Sequence, residues 1–187
     1  MIEICIQGRG GQGAVIASKI LASAFFMEDK WVQSFPAFGG ERRGAPVKAF
    51  VRVDDHQILR RSMIYAPDHL LILDPSLFEE IDVSSGLKPG GWIVMNTDDP
   101  APFLKNLQLF HVATVDGSQI AVELGLGSRV SPVLNTTMLG AFSRATGLIQ
   151  IDSVIQGIRE AISQNAQANV EAAMRAFQEV KVDQKCR

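Results

Sequence analysis

The sequence has 187 residues and a mass of 20.4 kDa, a length that suits one compact α/β domain. Hydrophobic residues make up 47% and charged residues 20%, which is typical of a globular protein and excludes a disordered chain. The net charge of −2 provides no overall positive field, which argues against a nucleic-acid-binding protein or one attracted to anionic membranes.

The cysteine and apolar content excludes further classes. Cys5 and Cys186 are too few for an iron–sulfur cluster, which needs about four thiolates, and too few for an all-thiolate zinc site. The three histidines lack the spacing of metal ligands. The N-terminus lacks the pattern of a signal peptide, and no segment reaches the roughly 18 apolar residues of a membrane span. We therefore predict a cytoplasmic protein without a metal site.

The first quarter of the chain predicts a strand, a helix and two further strands. An alternating, β-branched run over residues 2–7 predicts the first strand, and residues 14–27 predict a long apolar helix. Residues 31–35 predict a second strand, and the glycines and prolines of residues 36–46 indicate a loop. Residues 47–53 alternate apolar and charged side chains, as in a strand with one solvent-exposed face.

The rest of the chain alternates short apolar runs with segments of helical spacing. The predicted strands are residues 69–73, 92–95 and 109–115, and the predicted helices are residues 76–81 capped by Ser76, 119–125 capped by Ser118, 134–146, 152–163 and 168–180. An ion pair between Glu171 and Arg175 is expected in the last helix. This order predicts a single Rossmann-like α/β domain over residues 1–182, with a mostly parallel sheet and helices on both faces. Residues 183–187 are predicted to be a polar tail.

The segment Gly8-Arg9-Gly10-Gly11-Gln12-Gly13 lies between the first strand and the first helix. Glycines there permit a tight turn and close backbone approach, and the helix N-terminus offers N–H groups to an anion, with Arg9 beside it. A tight turn without a ligand is the alternative. A dinucleotide site also requires an acidic residue at the end of the second strand, and that strand ends in Phe35-Pro36 instead.

A second loop, residues 34–46, carries Phe35, Phe38, Glu41, Arg42 and Arg43. Its strand should end at the same sheet edge as the first, so both loops are predicted to line one crevice. Paired arginines suit phosphate or carboxylate, although they can equally be solvated or paired with Glu41. Phe35 and Phe38 fit either the core or a contact with a partner chain.

The two loops together carry a family resemblance. The segments GRGGQGAVIASKILASAFF and SFPAFGGERRGAPVKAFVRVDD resemble the gamma subunit of 2-oxoacid:ferredoxin oxidoreductases, most closely the pyruvate and 2-oxoisovalerate branch. Weaker matches are Pro67-Asp68-His69, Leu73-Asp74-Pro75 and Lys88-Pro89-Gly90-Gly91. The resemblance implies one subunit of an enzyme that converts a 2-oxoacid and coenzyme A (CoA) to acyl-CoA and carbon dioxide and passes electrons to ferredoxin.

The resemblance also implies the partners and the site. Thiamine diphosphate, Mg²⁺ and [4Fe–4S] clusters are expected on the alpha, beta and delta subunits, and this chain is expected to be inactive alone. The glycine loop with Arg9, and the second loop with Arg42 and Arg43, would share a CoA site at an interface. Phe35, Phe38 and Glu41 are the alternative partner contacts. The other functions considered are the indolepyruvate oxidoreductase beta subunit and a free-standing dinucleotide-binding oxidoreductase.

Overall fold

A computed structural model describes residues 1–37, 44–105 and 107–183. The predicted site residues Phe38, Glu41, Arg42 and Arg43, and Cys186, therefore lie outside the described residues.

The described residues form one seven-stranded sheet in the order β2-β3-β1-β4-β5-β6-β7. Its strands are β1 (Ile2–Arg9), β2 (Trp31–Pro36), β3 (Pro46–Asp54), β4 (His69–Ile72), β5 (Trp92–Asn96), β6 (His111–Val115) and β7 (Lys181–Val182). The pairs β1–β4, β4–β5 and β5–β6 are parallel, whereas β1–β3, β2–β3 and β6–β7 are antiparallel.

The predicted α/β fold is confirmed, but the sheet is mixed and only partly parallel, with three parallel and three antiparallel pairs of described strands. The reason lies in the second loop, which joins β2 directly to β3. Parallel neighbours need a crossover of about a dozen residues or more, usually with a helix, and this loop is too short to make one. β7 was missed because its two residues are exposed and carry no apolar pattern.

One face of the sheet carries the long helices. They are α1 (Ala14–Met27), α3 (Gly117–Glu123), α4 (Asn135–Thr146), α5 (Ile151–Ala161) and α6 (Ala166–Glu179), and their side chains share one core with Ile4, Ile6, Val51 and Leu71. The alternate strand positions, such as Cys5 and Phe50, point into a second core on the opposite face.

The opposite face is covered by irregular chain, by the 3-10 helix Pro75–Glu79 and by the single turn α2 (Ala101–Leu104). The prediction of helices on both faces thus holds for one face only. Pro75 begins the 3-10 helix and Pro100 directly precedes α2, positions at which proline is tolerated. No helix within the described ranges is long and apolar enough to cross a membrane.

Several local predictions need correction. The 3-10 helix is capped by Asp74, which accepts from the Ser76 N–H, and α3 is capped by Asp116, which accepts from the Gln119 N–H. Each helix begins one residue before the predicted serine, so Ser76 and Ser118 lie inside the helices and the aspartate that directly precedes each helix is its N-cap. The strand predicted from residue 109 begins at His111.

Two predicted side-chain environments are also wrong. Arg175 pairs with Glu123 at 2.9 Å and with Glu179 at 3.2 Å instead of with Glu171. The predicted solvent-exposed face of β3 carries Arg52, which is fully buried and forms an ion pair with Glu3 at 2.8 Å. Alternation in β3 therefore separates two buried faces, because the helices pack on one face of the sheet and the second core covers the other.

Candidate functional site

The glycine loop, residues 8–13, turns the chain from β1 into α1. Gly11 and Gly13 have φ angles of 102° and 80°, which side-chain-bearing residues adopt only with strain. Gly13 is the N-cap of α1, and no side chain in the described part of the chain caps this helix. The N–H groups of the first turn of α1 therefore remain available to an anion.

The N-terminus of α4 packs against the same loop. A Cβ atom on Gly13 would lie 2.6 Å from Nδ2 of Asn135, and this Nδ2 donates to the Gly13 carbonyl at 3.4 Å. The Oδ1 atom of Asn135 is buried, and it accepts no hydrogen bond within the part of the chain that the structure describes. α4 also has no side-chain cap, so two uncapped helix N-termini meet at Gly13.

Arg9 does not present a free charge at this site. Its guanidinium donates to Glu80 Oε1 at 2.6 Å, to Ser76 Oγ at 2.7 Å and to the Gly44 carbonyl at 3.2 Å. The hydrogen bond to Glu80 is the main cause of the raised pKa of Arg9. Arg9 thus connects the glycine loop to neighbouring segments. To donate hydrogen bonds to a bound anion, as predicted, Arg9 would have to release these partners.

Asp74 completes this network from the end of β4. Its carboxylate accepts from Ser76 and from Nε2 of Gln12 at 2.9 Å, and it lies 3.3 Å from Nε of Arg9. Burial alone would raise the pKa of Asp74, but the hydrogen bonds from Ser76 and Gln12 and the charge of Arg9 outweigh it and lower the pKa. Asp74 is therefore ionised at neutral pH and helps to fix the side chain of Gln12.

A cavity of about 400 Å³, called the crevice below, opens beside this network at the carboxyl ends of β4, β5 and β6. Gln12, Asp74, Asn96, Asp116, Ser118 and Arg129 contribute to its lining. β1 and β4 are parallel neighbours, while the chain that follows β1 crosses to the other side of β1 to form β2. Such a reversal in strand order is where open α/β sheets bind ligands.

The polar groups of the crevice are largely preorganised. Asn96 donates to the Leu73 carbonyl at 3.1 Å and to Ser118 Oγ at 2.9 Å, and its Oδ1 accepts from the Ser118 N–H. Arg129 lines the crevice and makes no ion pair with any described residue. The sequence analysis missed Arg129, because nothing in the pattern around it marks a site.

The end of the second loop contacts the glycine loop, although none of its described residues lines the crevice. The Gly10 N–H donates to the Ala45 carbonyl at 2.9 Å, and the Gly44 N–H donates to the Gly10 carbonyl at 3.1 Å. Both β1 and β2 are antiparallel to β3, so they point to the same edge of the sheet. Phe35 packs on Phe50, with ring centroids 5.6 Å apart, which supports its interpretation as a core residue.

The remaining candidate residues, Cys5 and two of the histidines, lie within strands of the sheet. Cys5 is buried, and burial raises the pKa of its thiol to about 12, so it is a poor nucleophile. His69 and His111 are the first residues of β4 and β6. Within the described ranges, no group of three or more His, Cys, Asp or Glu side chains is arranged to hold a metal ion.

Comparison with known proteins identifies the family. The model of the family described as pyruvate ferredoxin/flavodoxin oxidoreductase matches residues 3–179. The chain belongs to this family. It is 47% identical to the common gamma subunit of the pyruvate/ketoisovalerate oxidoreductases of Thermococcus litoralis, over 97% of this chain and 98% of that protein. The predicted gamma-subunit assignment and the predicted branch are therefore confirmed, and the chain is a subunit of a pyruvate:ferredoxin oxidoreductase.

Solved structures show the same fold. The crystal structure of the pyruvate oxidoreductase subunit PorC from Thermotoga maritima is 31% identical, has a TM-score of 0.81, and the match covers 98% of each chain. A 2-oxoglutarate:ferredoxin oxidoreductase from Magnetococcus marinus has a TM-score of 0.71 at 20% identity, over 95% of this chain and 30% of that one. That structure was solved with 2-oxoglutarate, CoA and succinyl-CoA bound. At this identity it shows the fold alone.

Proposed function

We propose that this gamma subunit contributes the glycine loop and the adjoining crevice to the CoA site of a multi-subunit, cytoplasmic oxidoreductase. The complete enzyme would convert a 2-oxoacid, CoA and oxidised ferredoxin to acyl-CoA, carbon dioxide and reduced ferredoxin. The observation that carries the proposal is the uncapped N-terminus of α1, which meets that of α4 at Gly13 beside an open crevice. CoA carries several phosphates, and helix N-termini bind phosphate groups.

In this proposal the backbone of the glycine loop binds a phosphate, and the side chains around it hold the loop in shape. No described residue lies within 4 Å of a Cβ atom built on Gly11, so in this proposal a phosphate can approach its backbone closely. Arg9, Gln12 and Asp74 keep the loop in place through their hydrogen bonds. Arg42 and Arg43, which lie outside the described residues, would supply the positive charge that Arg9 shares with Glu80 and Asp74.

The partner chains would supply the redox chemistry. Thiamine diphosphate, Mg²⁺ and the [4Fe–4S] clusters are proposed to lie on the alpha, beta and delta subunits. Binding of the nucleotide part of CoA on this chain would hold the thiol close to a reaction centre on a partner, and such positioning supplies a large part of the acceleration in many enzymes. The proposal is in keeping with the solved 2-oxoglutarate:ferredoxin oxidoreductase, which was determined with CoA bound and contains a chain of which the match covers 30%.

Arg43→Ala tests the CoA role of the second loop against the purely interfacial role. In the assembled enzyme, the KM for CoA is expected to rise about tenfold or more, because an arginine–phosphate contact is typically worth 1.5–3 kcal/mol. The KM for the 2-oxoacid and the subunit composition should not change. Loss of partner subunits at an unchanged KM for CoA would instead assign Arg43, with Phe35, Phe38 and Glu41, to a subunit interface.

A further inference from the structure

Asn135, the first residue of α4, brings a buried carboxamide to the N-terminus of α1. A Cβ atom on Gly13 would lie 2.6 Å from Nδ2 of Asn135, and this Nδ2 donates to the Gly13 carbonyl at 3.4 Å. Only the N–H end of a carboxamide can donate to a carbonyl oxygen, so this contact fixes the orientation of the amide. The amide therefore occupies the space that a side chain at position 13 would need.

The other end of this carboxamide is not satisfied by the fold. Asn135 is 3% exposed, and its Oδ1 accepts no hydrogen bond from any described residue. A buried acceptor without a donor costs stability, and folded proteins keep few such groups. The fold itself therefore gains little from an amide at position 135.

A second buried asparagine shows the contrast. Asn169 on α6 is 5% exposed, and both ends of its amide are paired. Its Oδ1 accepts from Thr136 Oγ1 at 2.7 Å, and its Nδ2 donates to the Asn165 carbonyl at 2.9 Å. Asn169 thus has the environment of a structural amide, and Asn135 does not.

The carbonyl that Asn135 contacts belongs to the peptide group between Gly13 and Ala14. This carbonyl also accepts from the Ala17 N–H at 2.9 Å, the first hydrogen bond of α1. A trans peptide is planar, so its C=O and N–H groups point in opposite directions. A second donor on the Gly13 carbonyl therefore holds the Ala14 N–H toward the N-terminal side of α1, where helices bind anions.

Helix α4 is a firm support for this contact. Met138, Leu139 and Phe142 of α4 are fully buried in the larger core, and Thr136 is bonded to Asn169 on α6. The position of the Asn135 amide is therefore fixed before a ligand binds. Donors that are ordered in advance bind an anion without a further cost in conformational entropy.

We propose that Asn135 is a positioning residue for the CoA phosphate. Through the Gly13 carbonyl it sets the direction of the Ala14 N–H, and it acts on the phosphate by way of the backbone. The inference rests on the proposed CoA function, and it assigns a part of the site to α4, which lies about 120 residues beyond the glycine loop in the sequence.

Asn135→Leu tests this role, because leucine keeps the branched shape of asparagine but has no donor. In the assembled enzyme, the KM for CoA is expected to rise at least about fivefold through the loss of one hydrogen bond. The kcat at saturating CoA and the KM for the 2-oxoacid should not change. The melting temperature of the full chain should stay constant or rise, since the substitution also removes the unpartnered Oδ1. Asn135→Ala, which cannot overfill the site, should raise the KM for CoA equally.

Asn169→Leu is the matched control, and it should show the opposite pattern. It leaves Thr136 and the Asn165 carbonyl without their partner, so the melting temperature is expected to fall by about 4 °C or more at an unchanged KM for CoA. A KM for CoA in Asn135→Leu and Asn135→Ala equal to that of the parent enzyme overturns the proposal. An equal rise in Asn169→Leu also overturns it, because the packing of α4 would then be the cause.

Gly11→Ala separates this inference from the proposed function. If Gly11→Ala raises the KM for CoA and the two Asn135 variants do not, the CoA site stands and the positioning role of Asn135 is refuted. If none of the three variants raises it, the CoA site at the glycine loop is refuted, and the positioning role with it.

Discussion

The buried ion pair between Arg52 and Glu3 makes the sharpest stability prediction. Arg52→Met removes the guanidinium but leaves the Glu3 side chain, which is 10% exposed, in the protein interior without its partner. It also leaves Gln33 Oε1 and the carbonyls of Arg60 and Ser62 without a donor. We expect Arg52→Met to be among the most destabilising single substitutions in the chain.

The magnitude follows from the cost of an uncompensated buried charge. Removing one partner of a buried ion pair typically costs about 3–5 kcal/mol in free energy of unfolding. For a protein of this size, about 1 kcal/mol lowers the melting temperature by roughly 2–4 °C, so a fall of about 6–20 °C is expected. Urea unfolding of the full chain, followed by circular dichroism, measures the free energy directly.

A double variant and a surface control decide whether the buried charge is the cause. Glu3→Leu combined with Arg52→Met removes both charges. It should recover about half of the loss, because the carbonyls of Arg60 and Ser62 still lack their donor. Arg144→Met is the control, since Arg144 lies over the ring of Phe177 at 5.5 Å but is exposed, and it should cost less than about 1 kcal/mol. If the double variant is less stable than Arg52→Met, the electrostatic reasoning is refuted.

Two further predictions concern the helical core and the edge of the sheet. Gly140→Ala should destabilise the chain by several kcal/mol, because its Cβ atom would lie 1.9 Å from the Ala173 carbonyl oxygen. Thermal unfolding measures this loss, and a variant as stable as the parent protein would contradict the close packing of α4 on α6. Nδ1 of His69 accepts from the Trp92 N–H at 3.1 Å, and burial lowers the pKa of His69. Stability should therefore fall as the pH drops below about 6.5, and His69→Asn should reduce this pH dependence in urea unfolding.

The elements that the sequence predicted well are those set by local patterns. Helix α1 occupies residues 14–27 as predicted, because a glycine turn precedes it and a continuous apolar run defines it. The signal for this helix thus lies in the helix itself and in the turn directly before it.

The elements that the sequence predicted poorly depend on distant partners. Arg9 seemed free because its acceptors Ser76 and Glu80 follow 67 and 71 residues later. Arg52 seemed exposed because apolar and charged side chains alternate along β3. Its environment in the fold instead comes from distant residues, among them Glu3 and the carbonyl of Arg60. The pairing of β2 with β3 was missed because the strands themselves carry no sign of direction.

The measurement that most directly tests the central claim is the KM for CoA of the assembled enzyme carrying Gly11→Ala. The added methyl group meets no described residue within 4 Å, so apart from the strain of the positive φ at Gly11 its effect is to obstruct a ligand at the loop. Gly147→Ala is the matched control, because Gly147 also has a positive φ, of 63°, and no described residue would lie within 4 Å of its added Cβ atom. Gly147 lies at the C-terminus of α4, whereas the glycine loop contacts the N-terminus of that helix. We expect Gly11→Ala to raise the KM for CoA at least fivefold, with the KM for the 2-oxoacid unchanged, and Gly147→Ala to alter neither. Equal KM values for CoA in both variants would contradict a CoA site at the glycine loop.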